Sequence, residues 1–106
     1  IAGAESVLLA LDDDLTPTAA MAEAPHGTAP SLEGKNVANP MAMLLACAAV
    51  LEHAGIHGDE RCVDVAHELR AATLGAALDG IRCFDLGGQA TTSEVVDEVV
   101  ARMRAR

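Results

Sequence analysis

An α/β arrangement of one or two short strands followed by three helices is predicted by three features of this 106-residue chain. The first is a short apolar run, Ser6 to Leu11, stopped by the aspartates Asp12, Asp13 and Asp14. The second is a set of three longer segments with apolar residues at helical spacing and recognisable start and stop residues. The third is a pair of loops, 23–40 and 81–90, whose glycine and proline continue neither kind of element.

Taken in order, Ser6 to Leu11 is short enough for a strand and continuous enough for a buried one. The aspartates put its end at a solvated turn. Adjacent side chains point in different directions, whereas a hard cation draws ligands from separated positions, so a turn is expected there and not a metal site. Thr16, Pro17 and Thr18 open a segment through residue 24 that reads equally as a helical turn or a strand.

Helix one is predicted from Asn39 as N-cap and Pro40 at the first helical position, through the apolar stretch 41–53, to Gly55 as a left-handed stop. Its apolar residues run nearly all round, so it is expected to be covered on more than one side. Met41, Leu44, Leu45, Ala48 and Leu51 face the interior in this reading, and Met43, Cys47 and Val50 meet another element or chain. Cys47 reads as an inert core residue and not a nucleophile.

Helix two begins at Asp59 or Glu60 and stops at Gly80, with Cys62, Val65, Ala66, Leu69, Ala72, Thr73, Ala76 and Ala77 on one face. Gly75 allows another helix to approach closely, and His67 reads as a surface or half-buried pair with Asp64 or Glu68. Helix three opens with a capping box, Thr91 or Thr92 followed by Glu94, and carries Val95, Val96, Val99, Val100 and Met103 as one stripe. Arg102, Arg104 and Arg106 suit the negative end of its dipole.

Composition bounds the function. Hydrophobic residues make up 51% of the chain but aromatic ones only 1%, with no Trp or Tyr, so the apolar surface is mostly small and aliphatic. A chain this short cannot bury all of it, which predicts an apolar face covered by a partner subunit or by a further part of a larger protein. The net charge of −9 argues against nucleic acid and anionic membranes as partners. Cys47, Cys62 and Cys83 are odd in number and widely spaced, which disfavours disulfides and zinc and fits the cytoplasm. The longest apolar run, 40–51, is too short to span a bilayer.

His26-Gly27-Thr28-Ala29-Pro30 has the makings of a nucleotide cradle: bare backbone at Gly27, a hydroxyl at Thr28 and a rigid Pro30. Turn chemistry by itself fits an ordinary helix-capping loop as well. No G-x-G-x-x-G, P-loop or nucleophile-elbow pattern is present.

Residues 23–40 resemble the adenosine-binding loop of the isocitrate and isopropylmalate dehydrogenase family, decarboxylating enzymes that oxidise 2-hydroxy acids with NAD or NADP. The likeness lies in Glu23, in His26 to Pro30, in Gly34-Lys35 and in Ala38-Asn39-Pro40. Asp85-Leu86-Gly87-Gly88 followed by Ala90-Thr91-Thr92-Ser93-Glu94 is similar to a second motif of that family. The resemblance runs in order over about residues 22–103 and implies part of an isopropylmalate dehydrogenase-like fold. It divides a single partial domain into a divergent strand and turn (1–22), the adenosine-loop-like motif (23–40) and helices with the Asp-Leu-Gly-Gly loop (41–106).

The resemblance also implies cofactor contacts. His26, Gly27, Thr28 and Ala29 would surround the ribose and phosphate, Val37 and Asn39 the adenine, and Glu23 would reach toward the nicotinamide side, while Asp85 orders the loop. Ser31 stands where NAD-preferring relatives carry Asp, and Ser31-Leu32 where NADP-preferring ones carry Lys and Tyr. Ser31 can still hydrogen-bond a ribose hydroxyl and Lys35 is the only nearby cation, so NAD is favoured over NADP.

The family's chemistry further requires arginines for substrate carboxylates, a Tyr and a Lys for proton transfer, and paired aspartates for Mg²⁺ or Mn²⁺. This chain has no Tyr and one Lys, Lys35. The expectation is therefore the NAD(P)-binding C-terminal part of a decarboxylating 2-hydroxy-acid dehydrogenase of isocitrate, isopropylmalate or tartrate type, not competent for catalysis alone. Its metal would come only with the catalytic part, and the rest of the enzyme or a partner subunit would complete it, in an oligomer. The alternative is a truncated, non-catalytic paralogue acting as a protein-interaction or regulatory module.

Overall fold

A hairpin leads into three α-helices in the computed structural model, which describes residues 4–105. Strand β1 (Ser6–Leu11) pairs antiparallel with β2 (Pro17–Glu23), with Val7 opposite Ala22 and Leu9 opposite Ala20. The ladder is irregular between Ala10 and Leu11, where Pro17, with no N–H to offer, is tolerated. The segment that read equally as turn or strand is thus a strand. Asp12 builds the connection: its Oδ1 accepts the N–H groups of Asp14 at 2.9 Å and Thr16 at 3.0 Å, the Asx use of an aspartate.

β1 is not the buried strand that its apolar run predicts. Val7, Leu8, Leu9 and Leu11 are 47–56% exposed. The reason is that β2 is its only strand partner among the described residues, and only helix α1 (Met41–Ile56) lies against the hairpin. The hairpin also lengthens the molecule: the radius of gyration is 15.1 Å, against roughly 13 Å for a compact chain of this length.

α1 starts one residue later than predicted. Asn39 Oδ1 accepts the Met41 N–H at 2.9 Å, and the Pro40 carbonyl receives the Leu44 N–H at 3.0 Å. Gly55 does not end the helix, which continues to Ile56. A Cβ on Gly55 would stand 2.6 Å from Val63 Cγ2 and 2.7 Å from the Val63 nitrogen, so glycine is there to let helix α2 (Arg61–Leu78) fold back tightly. Backbone proximity, and not a left-handed stop, explains the residue. Past α2, Gly80 takes φ 93°, the left-handed conformation expected of a stop.

Buried positions of α1 and α2 are largely alanines: Ala42, Ala46, Ala48, Ala66, Ala72 and Ala76. Helix α3 (Thr92–Arg104) adds Val95 and Val99. The innermost cluster is Ala72, Ala76 and Val99, walled by Leu44, Leu69, Ile81 and Met103. Thr73 is buried with them and donates its hydroxyl to the Leu69 carbonyl at 2.8 Å, which satisfies it. On α1, Leu45 and Ala48 are buried while Met43, Cys47 and Val50 face outward. Cys47 therefore lies outside the core that was expected to hold it, beside Met43, Val50 and Ala22 of β2 in an open groove between α1 and the hairpin; Cys83 is the buried cysteine. Val65, expected on the apolar face of α2, is 41% exposed, while its helix neighbour Ala66 is buried.

Ion pairs join the helices. Arg70 donates to Glu52 at 2.8 Å across α1 and α2. His67 Nε2 lies 4.0 Å from Glu52, so its acidic neighbour comes from α1 and not from Asp64 or Glu68. Arg102 bridges Asp79 at 2.7 Å and Glu98 at 2.9 Å, its guanidinium passing over Gly75, where a Cβ would meet it at 2.9 Å.

Two outcomes follow from this packing. Gly55→Ala should lower stability by about 1–3 kcal/mol through overpacking against Val63, read as a fall in the thermal midpoint; an unchanged midpoint would show that the helices can part there freely. The Arg70 hydrogen bond holds the Glu52 carboxyl below its ordinary value of 4.5. A depressed folded pKa stabilises above the unfolded value, and the gain is lost as pH falls through the folded one. Glu52→Gln should thus cost at most about 1 kcal/mol near neutral pH, less in high salt, and nothing in strong acid. Denaturant titrations at neutral and acid pH check it.

Candidate functional site

Between β2 and α1 the backbone passes three times through the left-handed region, at Ala29 (φ 44°), Gly34 (φ 78°) and Asn36 (φ 55°). A short 3-10 turn, Pro30–Leu32, follows the first, closed by the Leu32 N–H on the Ala29 carbonyl at 2.9 Å. A left-handed alanine costs about 1–2 kcal/mol, so the loop has to be held by something beyond itself.

α3 holds it. The first four N–H groups of a helix lack partners within the helix or have only its cap. Here the Asn36 carbonyl accepts from Thr92 at 3.0 Å, and Asn36 Oδ1 accepts the Ser93 N–H at 3.1 Å and the Ser93 hydroxyl at 3.0 Å. Thr91 takes the next two, Oγ1 from Glu94 at 3.2 Å and its carbonyl from Val95 at 3.1 Å. Glu94 returns the bond to the Thr91 N–H, which places the capping box on Thr91 and not Thr92.

The far end of the loop is tied as firmly. The Ala38 carbonyl receives the Thr92 hydroxyl and, at 3.8 Å, the Cys83 thiol. Asn39 uses both halves of its amide: Oδ1 caps α1 and Nδ2 donates to Asp85 Oδ2 at 3.2 Å. Asp85 lies in a second 3-10 turn, Phe84–Leu86, followed by Gly87 at φ 78°. A Cβ on Gly88 would fall 2.0 Å from the Arg82 carbonyl oxygen, so only glycine fits. Cys83 is fully buried, and burial, with Asp85 and Glu94 nearby, pushes its thiol up, away from nucleophilic use.

The outer side of the loop is an open depression of about 630 Å³. Thr28, Ala29 and Val37 line it with Pro30, Leu32 and Ala38, and Thr92 brings in the start of α3. His26, Gly27 and Ser31 belong to the same loop but not to this lining. His26 Nδ1 lies 2.9 Å from the Gly27 carbonyl, which can only accept, so Nδ1 is the donor in that contact. Asn39 borders a separate small cleft with Met41, Thr73 and Arg82. Glu23 ends β2 opposite Ser6.

Residues 8–99 match the isocitrate/isopropylmalate dehydrogenase family. The chain belongs to that family. Over 78 residues it is 44% identical to the 3-isopropylmalate dehydrogenase of Novosphingobium aromaticivorans, covering 74% of this chain and 21% of that protein. It is 36% identical over 85 residues to a probable tartrate dehydrogenase/decarboxylase of Bacillus subtilis, covering 79% of this chain and 22% of that one. With the alpha subunit of the mitochondrial NAD isocitrate dehydrogenase of Homo sapiens it shares 37% identity over 86 residues, 80% of this chain and 22% of the subunit. The crystal structure of the apo beta-decarboxylating dehydrogenase from Thermococcus kodakarensis superposes with a TM-score of 0.67 at 31% identity, over 81% of this chain and 24% of that one. The chain thus spans 21–22% of the length of these curated relatives.

In this member of the isocitrate/isopropylmalate dehydrogenase family, motif reading passed over Asn36. Its only local signal is an asparagine before Val37, a residue type that tolerates the left-handed region. Its partner, Ser93, lies 57 residues away. Asn36→Ala should remove the Ser93 bonds and strain the left-handed position, costing about 1–3 kcal/mol. Amide hydrogen exchange at Thr92 and Ser93 should speed up with it; unchanged protection there would mean that the clamp does not hold the loop.

Proposed function

We propose that this chain is the NAD(P)-binding C-terminal part of a cytoplasmic, decarboxylating 2-hydroxy-acid dehydrogenase of isocitrate, isopropylmalate or tartrate type, with NAD preferred. The observation that carries the reading is the braced depression beside Thr28, Ala29 and Val37. Its volume lies within the range of roughly 300–1,000 Å³ common for ligand clefts. Val37, Pro30 and Leu32 offer apolar surface to a base, and Thr28 and the exposed backbone around Gly27 offer polar groups to ribose and phosphate oxygens. The name of the human relative, an NAD isocitrate dehydrogenase subunit, agrees with NAD.

The dinucleotide, once bound, supplies a hydride acceptor for the 2-hydroxy acid. This chain's part is to hold the adenosine end: His26 and Thr28 at the ribose and phosphate, Gly27 and Ala29 as close backbone, Ser31 at the sugar, Val37 and Asn39 at the adenine, with Glu23 toward the nicotinamide side. Among the described residues no group of three His, Cys, Asp or Glu side chains could hold a metal ion. Substrate binding, proton transfer and a Mg²⁺ or Mn²⁺ are assigned to the rest of the enzyme, so the chain is not competent alone. The exposed Leu8, Leu9, Met43 and Val50 supply surface for that remainder in an oligomer.

The same apolar surface favours a second reading, a non-catalytic paralogue that docks on a partner as an interaction or regulatory module. Calorimetric titration of the native protein with NAD⁺ separates the two. On the cofactor reading, Val37→Asp and His26→Ala weaken binding about tenfold or more with unchanged circular dichroism. Unchanged affinity in both variants would remove the depression as the site. No binding by the wild type, with a hetero-complex seen by light scattering, would favour the module.

A further inference from the structure

We propose that His53 and His57 form a two-imidazole site for a divalent transition ion of the Ni²⁺, Zn²⁺ or Cu²⁺ class at the C-terminal end of α1. The inference stands apart from the nucleotide reading above. His53 lies in the last turn of α1, and His57 closes the helix as its C-cap. Positions four apart on a helix lie one above the other on the same face, so the spacing brings both side chains together without help from another element. Their ring centroids are 4.7 Å apart and their planes are tilted by 55°, so the rings are not stacked face to face. Two imidazoles that share one ion at metal–nitrogen distances of about 2.0–2.1 Å have centroids roughly 4.5–5 Å apart, for bond angles from square to tetrahedral. The pair stands at that separation.

The other two histidines have partners: His26 contacts the Gly27 carbonyl and His67 the Glu52 carboxylate. His53 and His57 enter no hydrogen bond or ion pair among the described residues. Gly55, midway between them, packs against Val63 of α2. At about 100° per residue, both histidines lie roughly opposite Gly55, on the side of α1 turned away from α2. His53 is half-buried and His57 exposed, which leaves an ion a path from solvent. The partial negative charge at a helix C-terminus and the net charge of −9 both favour a cation there. Imidazole suits Ni²⁺, Zn²⁺ and Cu²⁺, whereas Mg²⁺ and Mn²⁺ prefer oxygen ligands, so this ion is not the one assigned to catalysis. With two protein ligands and water at the remaining positions, it exchanges more readily than a structural zinc held by four. Because both ligands meet one ion only while the last turn of α1 is helical, binding stabilises the junction at which α2 folds back.

The test is calorimetric titration of the untagged native protein with Ni²⁺ in saturating Mg²⁺, alongside His53→Ala, His57→Ala and His67→Ala, folding being checked by circular dichroism. His53→Ala and His57→Ala should each weaken Ni²⁺ binding about tenfold or more, and His67→Ala should leave it within about twofold. Ni²⁺ should also raise the thermal midpoint of the wild type and leave that of the two α1 variants unmoved. No Ni²⁺ binding by the wild type, or binding that either α1 substitution leaves unchanged, would overturn the assignment. Equal weakening by His67→Ala would overturn it too, since the ion would then sit against α2.

Discussion

The start of α3 needs acceptors for its N–H groups, and the way it obtains them organises the site. Thr91, the N-cap, serves two of the four, but the other two are answered by Asn36, from a loop more than fifty residues upstream. That answer joins two stretches that are only separate motifs in the sequence. It also offsets the backbone cost of the loop: left-handed Ala29 costs about 1–2 kcal/mol and Asn36 less, while each hydrogen bond contributes about 0.5–1.5 kcal/mol. A loop held in shape before a ligand arrives loses less entropy when one binds, which is why the clamp matters for recognition as well as for folding.

The core imposes a second constraint. Alanine at most buried positions of α1 and α2 lets the helices approach closely, and Gly55 against Val63 is the tightest point of that approach. Small side chains bury little apolar area each, at about 25 cal/mol per Å², so close packing comes with modest stabilisation. The larger apolar residues are elsewhere. Leu8, Leu9, Met21, Met43 and Val50 remain exposed on the hairpin and the outward side of α1, a distribution suited to surface that another body covers.

Features governed by neighbours in sequence could be read directly. The capping box at Thr91 and Glu94, the aspartate turn after β1 and the Asn39 bond to the start of α1 all depend on contacts within a few positions. Features governed by distant contacts could not. Glycine after an apolar helix is a stop by local chemistry, yet Gly55 is kept by the return of α2. A continuous apolar run signals a buried strand, yet β1 is covered only where α1 reaches it. Cys47 and Cys83 look alike in the sequence and have opposite surroundings. Of the residues that the resemblance names, Thr28, Ala29 and Val37 share one depression, and Glu23, His26, Gly27, Ser31 and Asn39 are not in its lining, a grouping that depends on how the loop folds.

The amino-acid order by itself determined the three helices, the capping box of α3, the aspartate turn and the family, because periodicity, capping and motif spacing are properties of neighbouring residues. Which side of each helix stays bare, why Gly55 must be glycine, and that Asn36 braces the loop from its contacts with α3 were decided only by tertiary structure. Those facts depend on which surfaces meet across long stretches of chain, and burial, steric exclusion and hydrogen-bond partners exist only once they have met.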